Sequence, residues 1–392
     1  MRLQHEAQEH RIAPMAVGKS IGNQRKKLYP VRNRQNNKLQ RVLFAGGGTG
    51  GHVFMSVALA SALRESNPSV ELLFIGTSQG LEARIVPKRG YRLETIKIGG
   101  INRVGLLPAL KSFLQIPTSI FRSALLVRKF KPTVVVGVGG YSSGPALIAS
   151  RLLGYPGLLI EPNAYPGLTN RLLARWVNRA VIAFEETRRW YGSRARLTGI
   201  PVRIEFYNIA PADYTVSPLN LLVFGGSQGS QAINRIVCDA LPHLTGLPLR
   251  IVHQTGHADY ERVRQSYART NLQAEVLEFI DDMPAYFQDA HLILCRAGAL
   301  TIAELTAAGR PSILIPFPQA ADDHQRRNAE ALERQDAAIA LDQETTSGPL
   351  LAERIRALLT SRDELARMAA AARNLARPDS SEQIIRLMEE LA

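Results

Sequence analysis

The sequence predicts an α/β protein whose two Rossmann-like halves face each other across a cleft. Three observations lead there. At 392 residues the chain exceeds one ordinary hydrophobic core, so two domains are expected. A buried apolar run that feeds a glycine turn and then a helix occurs at Val42 to His52 and again at Leu219 to Ala232. The stretch Cys295 to Asn328 then reads strand, turn, helix, strand: the apolar run Leu292 to Cys295, small residues, a helix with Thr301 as its natural N-cap and Gly309 as its stop, and a second buried run, Ile313 to Ile315.

Composition narrows the class. Apolar residues at 45% and charged ones at 21% describe a soluble globular protein, and no run reaches the roughly 18 apolar residues a membrane span needs. The two cysteines, Cys238 and Cys295, both lie in apolar patterns and read as reduced, buried thiols of a cytoplasmic protein. Of the net charge of +14, half sits in residues 1–40, where nine Lys or Arg stand against Glu6 and Glu9. That segment lacks hydrophobic periodicity and a signal-peptide core, so it reads as a disordered basic leader. Only Tyr29 interleaves its charges, so a solvated tail or overlong start is expected ahead of a nucleic-acid site, with attraction to an anionic membrane surface as the alternative.

In the first half, Val42 to Ala45 is a strand, Gly46 to His52 the glycine turn, Val53 to Leu63 a helix and Val70 to Ile75 the second strand. Gly46, Gly48 and Gly51 satisfy the dinucleotide pattern G-x-G-x-x-G, but the second strand ends in Gly76-Thr77, where a dehydrogenase places an acid for the ribose. The nicotinamide reading therefore fails its second requirement. From Ile101 to Lys131 apolar residues alternate with Arg103, Lys111, Arg122, Arg128, Lys129 and Lys131 without one acid; helix packing explains many of them, and a basic amphipathic face for an anionic bilayer explains the missing acids. Thr133 to Val138, Leu158 to Ile160, Ala180 to Phe184 and Leu197 to Ile200 are further strands, and Pro201 to Pro218 is the linker. The second half has strands at Leu219 to Phe224, Ile251 to Gln254 and Val276 to Ile280, with its glycine turn at Gly225 to Ser230. The resulting division is a leader over 1–40, a first domain over 41–203, a second over 204–378, and an amphipathic closing helix over 379–392 that reaches back to the first.

Turns without bulky side chains at helix N-termini aim backbone N–H groups at an anion, and phosphate is the obvious guest. The two glycine turns would then stabilise a leaving diphosphate without a metal, since no His/Cys cluster has ligand spacing and Asp281-Asp282 reads as a helix start. His52 stands at the mouth of the first turn, where ligands of open α/β sheets bind, with an ordinary pKa suited to accepting a proton. Glu304 has two readings, a ligand contact or the N3 member of a capping box with Thr301. Gly225-Gly226-Ser227-Gln228-Gly229 and Gly140-Tyr141-Ser142-Ser143-Gly144 also match the nucleophile elbow of serine hydrolases, for which His253, His291 or His324 would have to supply the base.

Six signatures occur in order: GGGTGGH from Gly46, GGYSSGP from Gly139, EPNAYPGLTN from Glu161, GGSQG from Gly225, FIDDM from Phe279, and CRAGALTIAEL through PFPQAADDHQ from Cys295. On these, from about Val42 to the C-terminus, the chain resembles the MurG family, the bacterial undecaprenyldiphospho-muramoylpentapeptide N-acetylglucosaminyltransferases of glycosyltransferase family 28. The resemblance implies a GT-B fold and an inverting transfer of GlcNAc from UDP-GlcNAc to the MurNAc 4-hydroxyl of lipid I, giving lipid II for peptidoglycan, at the cytoplasmic face of the inner membrane and without cofactor or metal. It implies His52 as base; donor contacts at Thr49, Gly50, Gly51, Asn163, Arg203 and Ser227; uracil read by the Ile280 backbone; diphosphate and ribose held by Ala299, Leu300, Thr301, Ile302, Ala303 and Glu304, with Glu304 on the ribose hydroxyls; and Gln325, with His324, near the sugar. Met55, Pro162 and Ile200 depart from the family pattern. The change at Ile200 is shared with transferases that glycosylate diacylglycerol, the second acceptor to consider.

Overall fold

The computed structural model of the chain describes residues 38–98 and 106–392; the basic leader up to Asn37 and the start of the basic apolar segment, Ile101 to Gly105, lie outside the described residues. Leu39 is already buried, and its carbonyl accepts from Asn67 Nδ2 at 2.8 Å, so ordered chain precedes Arg41.

Two parallel sheets form the frame. The first orders β3 (Arg92–Thr95), β2 (Glu71–Gly76), β1 (Arg41–Ala45), β4 (Val134–Gly137), β5 (Gly157–Glu161), β6 (Arg179–Ile182) and β7 (Ala195–Leu197). The second orders β10 (Gln273–Leu277), β9 (Leu249–Gln254), β8 (Leu219–Phe224), β11 (Leu292–Cys295), β12 (Ser312–Leu314) and β13 (Ala338–Ala340). The central strands are apolar throughout because both faces are covered. Alternate residues serve opposite layers: Val42 and Phe44 enter one core while Leu43 and Ala45 enter the other, and in the second sheet Leu221 and Val223 part from Leu222 and Phe224 in the same way.

Helix Ser380–Leu391 places Ile384, Leu387 and Met388 in the same core cluster as Val42, Phe44 and Leu59 of the first half. Between the halves, Val202, Phe206 and Ile209 sink into the core of the second sheet. Arg310, wholly buried, binds that crossing down with donations to the carbonyls of Phe287 (2.8 Å), Gln288 (3.0 Å) and Ala210 (3.0 Å). Burial pushes its guanidinium down to about 10.

Several expected elements move. The strand expected at Val276 to Ile280 is Gln273–Leu277, because beyond Leu277 the Ile280 N–H turns to the Gln254 side chain at 3.3 Å. The strand expected at Leu197 to Ile200 is Ala195–Leu197, since Gly199 at φ +73° leaves the extended region. The edge strands Arg92–Thr95 and Ala338–Ala340 have no counterpart in the sequence reading.

Candidate active site

In each sheet the connections reverse direction beside the first strand of the half, between β1 and β4 and between β8 and β11, which opens a crevice beyond the carboxyl ends of those strands. Both crevices are lined by the glycine turns. A Cβ at Gly140 would fall on the Gly47 carbonyl, and one at Gly229 on the Thr255 carbonyl, so the turns approach their neighbours more closely than any side chain allows. The two halves meet here: a Cβ at Gly51 would lie 3.9 Å from the Leu300 Cβ, and helix Gly50–Ser66 touches helix Ala299–Ala308.

Helix Ala299–Ala308 begins earlier than the sequence indicates. Its N-cap is Gly298, with no side-chain cap, and Thr301 lies inside the first turn. The expected Thr301/Glu304 capping box is therefore absent, and the N–H groups of Ala299, Leu300 and Thr301 precede the first N–H to find a carbonyl within the helix, Ile302 to Gly298 at 2.9 Å. Glu304 is 9% exposed, and its nearest cation, Arg203, stands at 3.5 Å, a long contact for a charge-assisted bond. Burial dominates and pushes the Glu304 carboxyl up to about 7, against the pull of Arg203. Behind the turn lies Arg296, 9% exposed, donating to the Ile315 and Pro316 carbonyls at 3.0 Å and to Ser230 Oγ and Gln343 Oε1 at 2.7 Å. All four acceptors are neutral. Ser227 is exposed on the turn, the Ile280 side chain is in the core, and Gln325 is oriented by the Phe317 N–H, which donates to its Oε1 at 3.0 Å.

Across the cleft, Thr49 caps the first-half helix by position only, and its Oγ1 lies 3.1 Å from His52 Nδ1. A Cβ on Gly139 would come within 2.8 Å of His52 Nε2, so that glycine leaves room for the ring. Burial lowers the pKa of His52, a hydrogen bond to the Gly47 backbone raises it, and His324 and Glu82 oppose each other in smaller measure. The balance keeps the imidazole neutral near pH 7. Asn163 sits at the seam: Asn328, fully buried, donates from Nδ2 to Asn163 Oδ1 (3.2 Å) and the Ala297 carbonyl (3.1 Å) and accepts from the Ala164 N–H (2.9 Å). Beneath it the buried Glu161 carboxylate accepts from the Asn163 N–H at 3.0 Å and Asn170 Nδ2 at 2.8 Å, its pKa pushed up to about 7 by burial.

The structure thus brings His52, Thr49 to Gly51, Asn163, Arg203, Ala299 to Glu304 and Gln325 to one cleft. It corrects the expectation that both glycine turns offer their amides to an anion: in the first, Gly48 N–H already donates to Glu82 Oε2 at 2.8 Å. Sequence reasoning missed Glu82 and gave no role to Asn328; the available signals were an acid wedged among Gly76, Gly80 and Thr77, and an amide on the buried face of helix His324–Glu333. The hydrolase alternative loses one elbow and two of its three candidate bases. The Ser142 and Ser143 hydroxyls are buried without partners, His253 is fixed between Asn234 and Tyr267 at 3.1 Å each, and His291 accepts from the Asn220 N–H.

Residues 42–182 match the glycosyltransferase family 28 N-terminal domain and residues 220–384 the glycosyltransferase family 28 C-terminal domain. The UDP-N-acetylglucosamine--N-acetylmuramyl-(pentapeptide) pyrophosphoryl-undecaprenol N-acetylglucosamine transferase of Syntrophotalea carbinolica is 45% identical, over 88% of this chain and 98% of that protein. Its namesake from Geobacter metallireducens is 44% identical, over 88% and 97%. The crystal structure of Acinetobacter baumannii MurG superposes with a TM-score of 0.75 at 33% identity, covering 90% of this chain and 99% of that one. Two facing Rossmann-like domains give the GT-B fold, and the two family matches make the chain a GT-B glycosyltransferase. The chain belongs to glycosyltransferase family 28, in the branch formed by these transferases.

The Glu304 shift has a measurable sign. Its carboxyl is raised from 4.5 in the unfolded chain to about 7, so its contribution to stability is fully present below 4.5 and is lost as pH rises through about 7. His253, lowered to about 3, acts in the opposite sense over part of that range, so a difference measurement is needed. Glu304→Gln mimics the protonated form; its melting temperature relative to the parent should rise from pH 5 to about pH 7 and level off above that, and a constant difference would remove the shift.

Proposed function

We propose that this protein transfers GlcNAc from UDP-GlcNAc to the MurNAc 4-hydroxyl of lipid I with inversion, forming lipid II. The observation that carries the reading is the open start of helix Ala299–Ala308, with Glu304 further along the same helix and the His52 turn opposite. The leaving UDP carries its charge on the diphosphate, and the N–H groups of Ala299, Leu300 and Thr301, backed by the helix dipole, are donors suited to it. Ser227 on the neighbouring turn adds a hydroxyl, and Arg296 behind it adds a positive charge with no carboxylate among its hydrogen-bond partners. Ile302 and Ala303 continue the helix start, while Glu304 and Arg203 receive the ribose hydroxyls and the Ile280 backbone takes uracil. Asn163, Gln325 and the segment Thr49, Gly50 and Gly51 face the sugar.

The chemistry then needs one proton acceptor. The MurNAc 4-oxygen attacks C1 of GlcNAc from the face opposite the diphosphate, the C1–O bond to the diphosphate breaks, and the hydroxyl proton passes to the neutral imidazole of His52. This face of the cleft belongs to the half with most of the exposed large apolar side chains, among them Phe121 and Leu125 on helix Leu106–Phe130, Leu152 at the end of helix Ser143–Leu152, and Leu172 and Trp176 at helix Leu168–Leu173 and just beyond. These helices pack side by side, and Arg122, Arg128, Lys129, Arg151 and Arg175 are exposed among them. Such a surface suits an anionic bilayer, where a polyprenyl-linked acceptor resides. Among the described residues no helix is long and apolar enough to cross a membrane.

Radiolabelled UDP-GlcNAc offered lipid I and diacylglycerol side by side tests the assignment: label should enter lipid I alone, and label in diacylglycerol would replace the acceptor. The two walls of the cleft should separate kinetically. His52→Ala is expected to cut kcat by about 10² with UDP affinity unchanged, while Glu304→Ala is expected to weaken UDP binding without unfolding the protein; normal turnover in the first or normal UDP affinity in the second removes that residue's role. Phe121→Glu with Leu172→Glu should reduce co-sedimentation with anionic vesicles by about tenfold, and undiminished sedimentation would move the membrane contact elsewhere.

A further inference from the structure

Glu82 is the first residue of helix Glu82–Lys88 and is 1% exposed. Among the described residues its carboxylate has no ion-pair partner. Oε2 accepts from the Gly48 N–H at 2.8 Å, and Oε1 accepts from the Thr77 N–H and the Thr77 hydroxyl, both at 2.8 Å. The pocket is cut to this group: a Cβ at Gly47, Gly76 or Gly80 would collide with the Glu82 side chain. An acceptor fed by backbone amides at a glycine turn is what a bound phosphate oxygen is in related turns. Here the anion is part of the chain.

The residue it holds in this turn, Gly48, stands between the two that contact His52. Gly47 hydrogen-bonds the imidazole, Gly48 bonds Glu82, and Thr49 Oγ1 lies 3.1 Å from His52 Nδ1. We propose that Glu82 is a positioning residue for the transfer reaction: a resident anion seated in the first glycine turn that sets the imidazole of His52 toward the acceptor whether or not a donor is bound. The proposal rests on the reading of His52 as the base. It assigns the first glycine turn and the start of helix Ala299–Ala308 different work, one closed on an internal carboxylate to hold a base and one open to a nucleotide.

Glu82→Gln keeps the size and the acceptor toward Thr77 but turns an NH2 against the Gly48 N–H. It should lower kcat by about tenfold or more with KM for UDP-GlcNAc within about twofold of the parent, and should cause no further loss in a His52→Ala background. The ring-nitrogen NMR signal of His52, identified by its absence in His52→Ala, should move in Glu82→Gln; this readout stands even if neither protein transfers sugar, so failure of the assigned reaction is told apart from failure of the proposal. If Glu82→Gln folds poorly, Glu82→Ala with added formate serves instead, with turnover restored by formate and not by chloride at equal ionic strength. An unmoved His52 signal, an equal loss in the His52→Ala background, or a loss confined to KM for UDP-GlcNAc overturns the proposal.

Discussion

Every N–H at the start of a helix or in a tight turn needs an acceptor, and the disposition of this protein's cleft follows from where those acceptors are found. In the first half the acceptor is built in, the Glu82 carboxylate under Gly48. In the helix of the second half, Ala299–Ala308, no side chain caps the N-terminus. The first glycine turn and the start of helix Ala299–Ala308 thus diverge electrostatically, although neither helix has a side-chain cap. The first carries a buried negative charge and would repel a diphosphate at Gly48; the second has the buried Arg296 guanidinium behind it, bonded only to neutral acceptors, and attracts one. Net charge alone could not sort two such sites, since the whole chain is basic.

The seam between the halves is built from similar polar economy. Asn328 uses its amide in both senses, accepting from Ala164 and donating to Asn163 and Ala297, and Glu161 steadies Asn163 from below. Arg171 adds a contact to Asp322 at 3.2 Å, and Arg327 lies over the Tyr165 ring at 4.5 Å. Asp322 and Asp323 hold φ values of +52° and +54°, a left-handed conformation uncommon outside glycine, on the loop that leads into Gln325 and Asn328. Strain at this point is tolerated because both neighbours are tied down: Asp323 to Arg326 at 3.1 Å and Asp322 to Arg171.

What the sequence disclosed and what it hid have separate physical causes. Central strands such as Val134–Gly137 and Leu292–Cys295 were legible because burial on both faces demands unbroken apolar runs. The edge strands Arg92–Thr95 and Ala338–Ala340 were not, since the first carries the polar residues an edge admits and the second is three residues long, too short for a period to read. The N-cap at Gly298 was misread as Thr301 because a glycine cap has no side-chain signature, whereas threonine has one in any setting. Glu82 and Asn328 escaped for another reason. Their partners Gly48 and Ala164 lie 34 and 164 residues away, and no local pattern records a bond across that distance.

The composition of the seam also bears on how a polyprenyl-linked acceptor and a nucleotide sugar reach one cleft. Polar contacts such as those of Asn328 and Arg171 exchange for water when two surfaces part, so each costs only about 1 kcal/mol net to open. Apolar contacts cost in proportion to the area exposed. Leu300 and Ala303 are apolar members here, packed against the cores of both halves, and Phe184 of the first half packs against the core of the second. Leu300 and Ala303 stand on the helix whose open start faces Gly51, beside the proposed nucleotide position. The Asn328 and Arg171 contacts are therefore the cheaper part of the seam to open and the Leu300 contacts the costlier.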